Sequence, residues 1–444
     1  MRSTLLLLVA AVALGAYAYF VESERPTRTE LESAKNSVFA IESLDLVELD
    51  VTDSSGERTL LRKTDGTWRL TDPVQVDADA IEVSGITSGV ESLEIERVVA
   101  ESPVDLASFG LADPRIVIAF KAEGDREFTR LLLGDDTATG GDMYATTSND
   151  PRVFLVAAYL ETSFDRATFD LRDKAILDFN TDEVDRIDIT APSHTVALVK
   201  TNENDAWRLE QPWSARGDAG ITDALVTRLV TGRMQAIVAT DTAELDAFGL
   251  EAPRLTAVVG TGSTRATLVV GDATDDGTVY ARDAARPLVF TVEESLVDEL
   301  MRLPDVYRQK DLFTFRSFNA TRIEIAQPDS TLVLEKSDGD PPEWRRLEPA
   351  PDQVGQPQVT ALLSALSGLR ADSFADADAG VRRSSQIATV TVRFGDDQEE
   401  QVVFDRVADE VHATVADDSS AGIIDAAAFD AALADASALA GDAP

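Results

Sequence analysis

Leu106-Ala-Ser-Phe109-Gly110-Leu111-Ala-Asp-Pro114-Arg115 occurs once and then returns as Leu245-Asp-Ala-Phe248-Gly249-Leu250-Glu-Ala-Pro253-Arg254. Leu, Phe, Gly, Leu, Pro and Arg hold the same offsets in both copies, so the chain reads as an array of related modules. The motif is punctuation. Leu106 and Phe109 share the face of one short helical turn. Gly110 and Gly249 supply the positive φ that stops the turn, and Leu111 and Leu250 fold back on the apolar face just ended. Pro114 and Pro253 forbid further helix and favour an extended chain. A strand is expected next, and Ile116–Phe120 and Leu255–Val259 have its composition. The motif describes a packed corner and carries no chemistry of its own.

Outward from the corner, both halves share one plan. In the first, Leu46–Val51, Arg58–Arg62 and Thr67–Leu70 are short, partly alternating runs separated by Ser-Ser-Gly56 and Asp-Gly66, as in a meander of hairpins. A helix is expected from about Asp77, with Ile81, Ile86, Val90 and Leu93 inward and Asp77 and Asp79 placed to cap it. Four such buried side chains contribute about 6–12 kcal/mol before conformational entropy is counted. After the corner come a hairpin, Ile116–Phe120 with Phe128–Leu133, a Gly134-Asp135 step, a second pair around Tyr144 and Val153–Val156, and a helix near Ala157–Phe164. The half closes on Leu171-Arg172-Asp-Lys174.

The second half repeats strands at Ile187–Ile189 and Val196–Lys200, a helix with Ile221, Leu225 and Leu229, strands at Thr267–Val270, Tyr280 and Leu288–Phe290, a Gly271-Asp272 step, a helix over Glu293–Met301, and Tyr307-Arg308-Gln-Lys310. A third stretch has Ile323–Ile325, Leu332–Leu334, a helix with Val359, Leu362, Leu363, Leu366 and Leu369, strands at Thr389–Phe394, Gln401–Phe404 and Val411–Val415, and an Ala-rich helix over 425–439. It lacks the corner and the Gly-Asp step, as a terminal capping repeat would. One signature runs through all three: Trp68-Arg69…Pro73, Trp207-Arg208…Pro212 and Trp344-Arg345…Pro349. Tryptophan at these positions is expected to cover the first helix while proline turns the chain into it; three aromatic platforms for glycan or peptide are the alternative. The fold class is therefore α+β, a tandem repeat of β-rich modules with hairpins and two helices each, behind one N-terminal transmembrane helix. The boundaries are 1–21 for the anchor or signal, 22–40 for a stalk, 41–180 for module one, 181–317 for module two and 318–444 for a degenerate module three.

The anchor is the apolar run Leu5 to Val21, close to the length that spans a bilayer. Tyr17, Tyr19 and Phe20 stand at its far end. Arg2 precedes it and Glu22 and Glu24 follow, an orientation that puts the bulk of the chain outside. Ala16-Tyr-Ala18 also fits a signal-peptidase site, so a cleaved leader is the competing reading. Composition sets further bounds. The 444 residues suit about three domains, and an apolar fraction of 44% is enough for real cores. A net charge of −40 argues against nucleic acid and against lying flat on anionic lipid. The absence of cysteine excludes disulfides, thiolate catalysis and cysteine-bound metal.

Trp-x4-Pro, the Asp-led helix, Phe-Gly-Leu-x-x-Pro, the Leu-x-x-Gly-Asp step and the closing Arg-x-Lys, behind one hydrophobic segment, resemble the bacterial family called domain of unknown function 4340. The resemblance covers modules one and two well and module three poorly. Members often stand beside ABC-transporter genes of the gliding-motility type. It thus implies an accessory protein of the bacterial inner membrane, single-pass, with its bulk periplasmic or extracytoplasmic, and a membrane permease or other envelope proteins as partners. It supplies no catalytic residue.

No chemistry-bearing motif stands out beside it. His194 and His412 have no ligand-spaced neighbours. Hydrolase, phosphate-loop and dinucleotide motifs are missing. Asp272-Ala-Thr274-Asp-Asp276-Gly277, with Asp283 beyond, is loosely similar to a calcium loop, but has Thr at the third position and lies between strands. The expectation is a non-enzyme with no cofactor and no metal, acting as an extracytoplasmic scaffold of a transport system; a periplasmic glycan- or peptide-binding module is the alternative.

Overall fold

A computed structural model describes residues 36–102, 105–179, 184–201, 206–337, 339, 341–375, 385–395, 398–416 and 418–441. The apolar run Leu5–Val21 and residues 22–35 lie outside them. Among the described residues no helix is long and apolar enough to cross a membrane. Two compact units divide the chain between Lys174 and Ala175.

The first unit holds one antiparallel sheet of nine strands: β1 (Leu46–Thr52), β2 (Arg58–Thr64), β3 (Thr67–Asp72), β4 (Val76–Asp77), β5 (Arg97–Ala100), β6 (Ile116–Ala122), β7 (Thr129–Asp136), β8 (Asp142–Thr147) and β9 (Asp150–Ala157). Their order is β4-β3-β2-β1-β6-β7-β8-β9-β5. Two meanders meet where β1 pairs with β6, Leu49 opposite Phe120. Helix α1 (Ala80–Glu91) joins β4 at one edge to β5 at the other, so it crosses a face of the sheet. Asp79 caps it, its carboxylate accepting from the amides of Ile81 and Glu82. Val83, Ile86, Val90 and Leu93 enter the core with Leu49, Leu61, Ile118, Leu131 and Phe154. Ile81, expected inward, is 74% exposed. Five residues before Ile86 is about 140° round the helix, whereas Val83 keeps the three- and four-residue spacing. The expected second helix is a 3-10 turn over Ala158–Leu160 running into α2 (Glu161–Phe164), with α3 (Thr168–Leu171) after it.

The second unit contains two more nine-stranded sheets. One is built from β10 (Arg186–Ala191), β11 (His194–Lys200), β12 (Trp207–Gln211), β13 (Ala215–Arg216), β14 (Ala236–Ala239), β15 (Leu255–Thr261), β16 (Thr264–Ala273), β17 (Thr278–Asp283) and β18 (Val289–Glu293), with α4 (Ala219–Thr231) and α5 (Glu294–Leu300). The other is built from β19 (Ala320–Gln327), β20 (Ser330–Lys336), β21 (Trp344–Glu348), β22 (Asp352–Gln353), β23 (Ala371–Phe374), β24 (Ser385–Phe394), β25 (Gln398–Val407), β26 (Glu410–Val415) and β27 (Gly422–Ile424), with α6 (Gln356–Ser367) and α7 (Ala426–Ala440). Their orders, β13-β12-β11-β10-β15-β16-β17-β18-β14 and β22-β21-β20-β19-β24-β25-β26-β27-β23, match the first sheet strand for strand. The third stretch, degenerate in its motifs, thus has the full sheet.

Each sheet is entered by an apolar strap. Ser37 bridges Glu94, Ala175 bridges Arg233 and Asp311 bridges Arg370. Ala175–Leu177, counted with module one in the sequence, therefore packs in the second unit: the Ile176 amide donates to the Gly232 carbonyl at 3.0 Å, and Ile176 and Leu177 are buried. Arg286 closes this strap by donating to the carbonyls of Ala175 and Ile176, both at 2.7 Å.

Candidate functional site

The repeated motifs assemble into one structural frame. The tryptophan signature lies on β3, β12 and β21. Trp207 and Trp344 are only 3% and 2% exposed, and Trp344 joins the third core. Trp207 Nε1 donates to Asp223 Oδ1 at 2.7 Å on the helix it covers. Trp68 is half-buried against the first core. Pro73, Pro212 and Pro349 follow in exposed turns, each after a cis peptide bond. Burial of two rings leaves them no open face for stacking a ligand.

The Phe-Gly-Leu corner and the Gly-Asp step are one device. Phe109 ends a 3-10 turn, and Gly110 (φ 68°) and Gly249 (φ 68°) take the left-handed conformation. A Cβ on Gly110 would stand 2.6 Å from the Asp135 carboxylate, and one on Gly249 2.5 Å from that of Asp272. Reciprocally, a Cβ on Gly134 or Gly271 would strike the carbonyl oxygen of Phe109 or Phe248. The two glycines of each pair let backbone meet backbone. Met143 and Ala145 point into the core, so Tyr144 between them points to the opposite face of the sheet. There its ring meets Phe109 edge-on at 5.1 Å, as Tyr280 meets Phe248 at 5.0 Å. Leu111 and Leu250 are buried beneath the corner, and Pro114 and Pro253 lead into β6 and β15. In the third sheet the same face carries Thr389, Thr391, Gln401, His412 and Thr414, with Gln401 Nε2 donating to Thr391 Oγ1 at 3.2 Å. Val403 lies on this face too, between Thr389 and Thr414, and His412 stands there where no Phe-Gly-Leu supplies an aromatic partner. Residues 376–384, which join β23 to β24, lie outside the described residues.

Within the second unit a polar seam joins the two sheets, and the sequence pattern had marked only one of its members, Arg308. Arg308 is 1% exposed. Its guanidinium carbon lies 3.5 Å from the centroid of the Phe374 ring, and its terminal nitrogens donate to Ser420 Oγ at 2.9 Å and the Ser420 carbonyl at 3.1 Å. Burial pulls its pKa below the usual arginine range, against the opposing pull of Asp305 and Asp418. Asp418 accepts from the Arg216 amide at 2.7 Å and faces its Nε at 3.6 Å. The Arg216 guanidinium also donates to the carbonyls of Asp311 and Leu312 at 3.0 and 3.4 Å. Tyr307, beside Arg308, is fully buried, which pushes its phenol up to about 12. Arg216 and Asp418 carry no sequence signature, because their partners are 202 positions apart.

The residues with chemical potential are otherwise engaged. His194 Nδ1 shares a hydrogen bond with Ser193 at 2.9 Å, while its buried Nε2 meets no partner among the described residues. His412 lies 3.2 Å from Glu410. In the acidic loop, Asp276 accepts from the side chains of Thr274 and Thr278, which hold its carboxyl below the usual range. Asp272 packs on Gly249, and Asp283 pairs with Arg286 at 2.9 Å. Their oxygens do not converge, and no group of three metal-binding side chains occurs among the described residues.

The profile for Domain of unknown function (DUF4340) matches residues 68–211 and again 207–386. The chain belongs to this family. The two DUF4340 matches each open on a tryptophan of the signature, Trp68 and Trp207, and together span more than half the chain. No curated protein matches it. Among solved structures it is similar to a DNA polymerase sliding clamp from Pseudomonas aeruginosa, at 9% identity and a TM-score of 0.16, with 88% of this chain and 94% of that chain covered. Likeness at that level carries no argument.

Proposed function

We propose that this DUF4340 chain is a non-enzymatic accessory protein of the bacterial envelope, held in the inner membrane by Leu5–Val21, its modules outside, serving as an interaction scaffold for an ABC-type transport system of the gliding-motility kind. The observation that supports this most is where the repeated residues go. Tryptophan, corner and Gly-Asp step are all used to hold sheets together, which leaves three copies of one framework whose outer surface is free to differ. The apolar N-terminal run and the acidic, cysteine-free composition fit an extracytoplasmic position. The test is fractionation of the full chain: extraction should require detergent, and a permease should co-purify. A chain recovered from the soluble fraction without a permease would end this reading.

A periplasmic glycan- or peptide-binding module is the second reading, favoured by a cleft of about 390 Å³ that Trp344 borders by an edge and that Glu343 and Gln353 line with polar groups, so that a ligand there would not stack on the buried ring. Ligand binding that survives replacement of Trp344 with the fold intact would place the ligand elsewhere.

A further inference from the structure

The first two sheets each have one edge filled by the chain's own exit segment; among the described residues nothing fills that edge of the third. In the first, the Asp173 amide donates to the Asp77 carbonyl at 2.8 Å and the Asp79 amide to the Leu171 carbonyl at 2.8 Å. Leu171-Arg172-Asp173 thus adds an antiparallel rung beyond β4, with Arg172 bridging Ala78. In the second, the Gln309 amide donates to the Arg216 carbonyl at 2.9 Å and the Asp218 amide to the Tyr307 carbonyl at 2.8 Å, with Arg308 bridging Gly217.

The register carries over to the third sheet. The amides of Ala78, Gly217 and Val354 donate to the carbonyls of Trp68, Trp207 and Trp344 at 3.0, 2.9 and 3.5 Å. Gln353 therefore stands where Asp77 and Arg216 stand, and Gly355 where Asp79 and Asp218 stand. Among the described residues nothing donates to the Gln353 carbonyl or accepts from the Gly355 amide. Both residues are exposed. The cleft of about 390 Å³ opens beside them, lined by Pro342, Glu343, Trp344, Gln353, Val354 and Gln356. After β27 the chain enters α7 instead of returning along this edge.

We propose that this edge receives an extended, basic segment of a partner protein, added as an antiparallel strand beyond β22. An unpaired strand edge is a template for such addition, main-chain bonds giving affinity and side chains giving selectivity. The chemistry of the guest follows from the two internal guests. Each puts Arg at the bridging position and Lys two residues on: Arg172 and Lys174, Arg308 and Lys310. Both of those segments are engaged in their own sheets, so neither fills the third edge, and the guest proposed for it belongs to a partner. Glu343 in the cleft and the net charge of −40 favour a cationic one, whereas Asp352 is already paired with Arg346 at 3.3 Å. The proposal is independent of the transport reading, since failed permease capture leaves this edge unchanged and failed peptide binding leaves membrane anchoring unchanged.

The probe is a synthetic peptide copying residues 306–310, Val-Tyr-Arg-Gln-Lys, blocked at both ends so that Arg308 and Lys310 set its charge, titrated onto the full chain in detergent. Gly355 has φ −69°, which proline adopts without strain while removing the amide donor. Gly355→Pro should weaken binding about five- to tenfold relative to Gly355→Ala, the loss of one net hydrogen bond. A Cβ at this position meets only the end of the Gln358 side chain, and does so in both variants. The peptide with its Arg and Lys replaced by Ala should bind more weakly, most clearly at low salt. In the unmodified chain, peptide should slow hydrogen exchange at the Gly355 amide, a readout that stands even if the proline variant misfolds. No binding of the probe, equal binding by the two Gly355 variants, or an unprotected Gly355 amide in the bound chain would each overturn the proposal.

Discussion

The second and third sheets share a strand order and differ in how they end. After β18 the second sheet has the seven-residue α5 and then Tyr307-Arg308-Gln309, which pairs with the edge beyond β13 before the chain leaves. After β27 the third has the fifteen-residue α7. Arg346 on β21 donates to the carbonyls of Leu439 and Ala440 at 2.8 and 2.9 Å, satisfying the end of that helix with a cation. The turns differ in the same sense. Between β17 and β18, Asp283 is paired within its own turn by Arg286. Between β26 and β27, Asp418 reaches across to Arg216 of the second sheet. One framework is therefore made internal or terminal by where a few polar side chains and one exit segment go, while the sheet stays the same.

Four tests would break or sharpen that comparison. The largest effect is expected for Trp344→Ala, which should cost about 3–5 kcal/mol as a large buried aromatic is lost, against roughly half as much for Trp68→Ala, whose ring is half-buried. Calorimetric unfolding of the two variants measures the difference, and equal losses would contradict the burial seen here. Asp418→Asn comes next. It leaves Arg216 and Arg308 near one another without the carboxylate between them, at about 3 kcal/mol. It should also split the unfolding of residues 175–444 into two transitions, where Asp283→Asn, confined to one sheet, should not.

Gly249→Ala tests the clasp that the first two sheets possess and that is not found in the third among the described residues. A non-glycine residue at φ 68° costs about 1–3 kcal/mol, and its Cβ also meets Asp272. Substitution of Gly355 in the third sheet, at a negative φ, should cost far less by the same melting assay. The smallest effect is at Asp150, where the side-chain hydrogen bond from Arg152 holds the carboxyl below its ordinary value of 3.8. A depressed carboxylate stabilises the fold above its unfolded pKa and loses that contribution as pH falls through the folded value. Asp150→Asn should therefore cost under about 1 kcal/mol at neutral pH, since the pair is partly exposed. Its cost should shrink as pH falls below 3.8 and through the depressed folded value. A constant deficit across that range would exclude the ion pair as its origin.

Much of the module could be read along the chain because the signals are local. The strand runs, the Asp79 cap, the left-handed glycines and the inward faces of α4 and α6 follow from periodicity and from residues that tolerate few conformations. Ile81 misled because an apolar residue near a helix start satisfies composition without satisfying phase. The short edge strands β4, β5, β13, β14, β22 and β23 passed unnoticed, since two to four residues show no period. The shared purpose of the Phe-Gly-Leu corner and the Gly-Asp step was hidden for another reason: the two lie on different strands and meet only through missing side chains.

The sequence by itself determined the repeat, the kind of module and the acidic, cysteine-free character of the chain, because these depend on which residues occur and at what spacing. Only the tertiary structure decided which edges are closed, which carboxylate serves which arginine, and that the third sheet is complete though its corner is missing. Those outcomes depend on backbone groups and side chains brought together from distant parts of the chain, and a backbone amide or carbonyl looks the same in every residue until its partner is known.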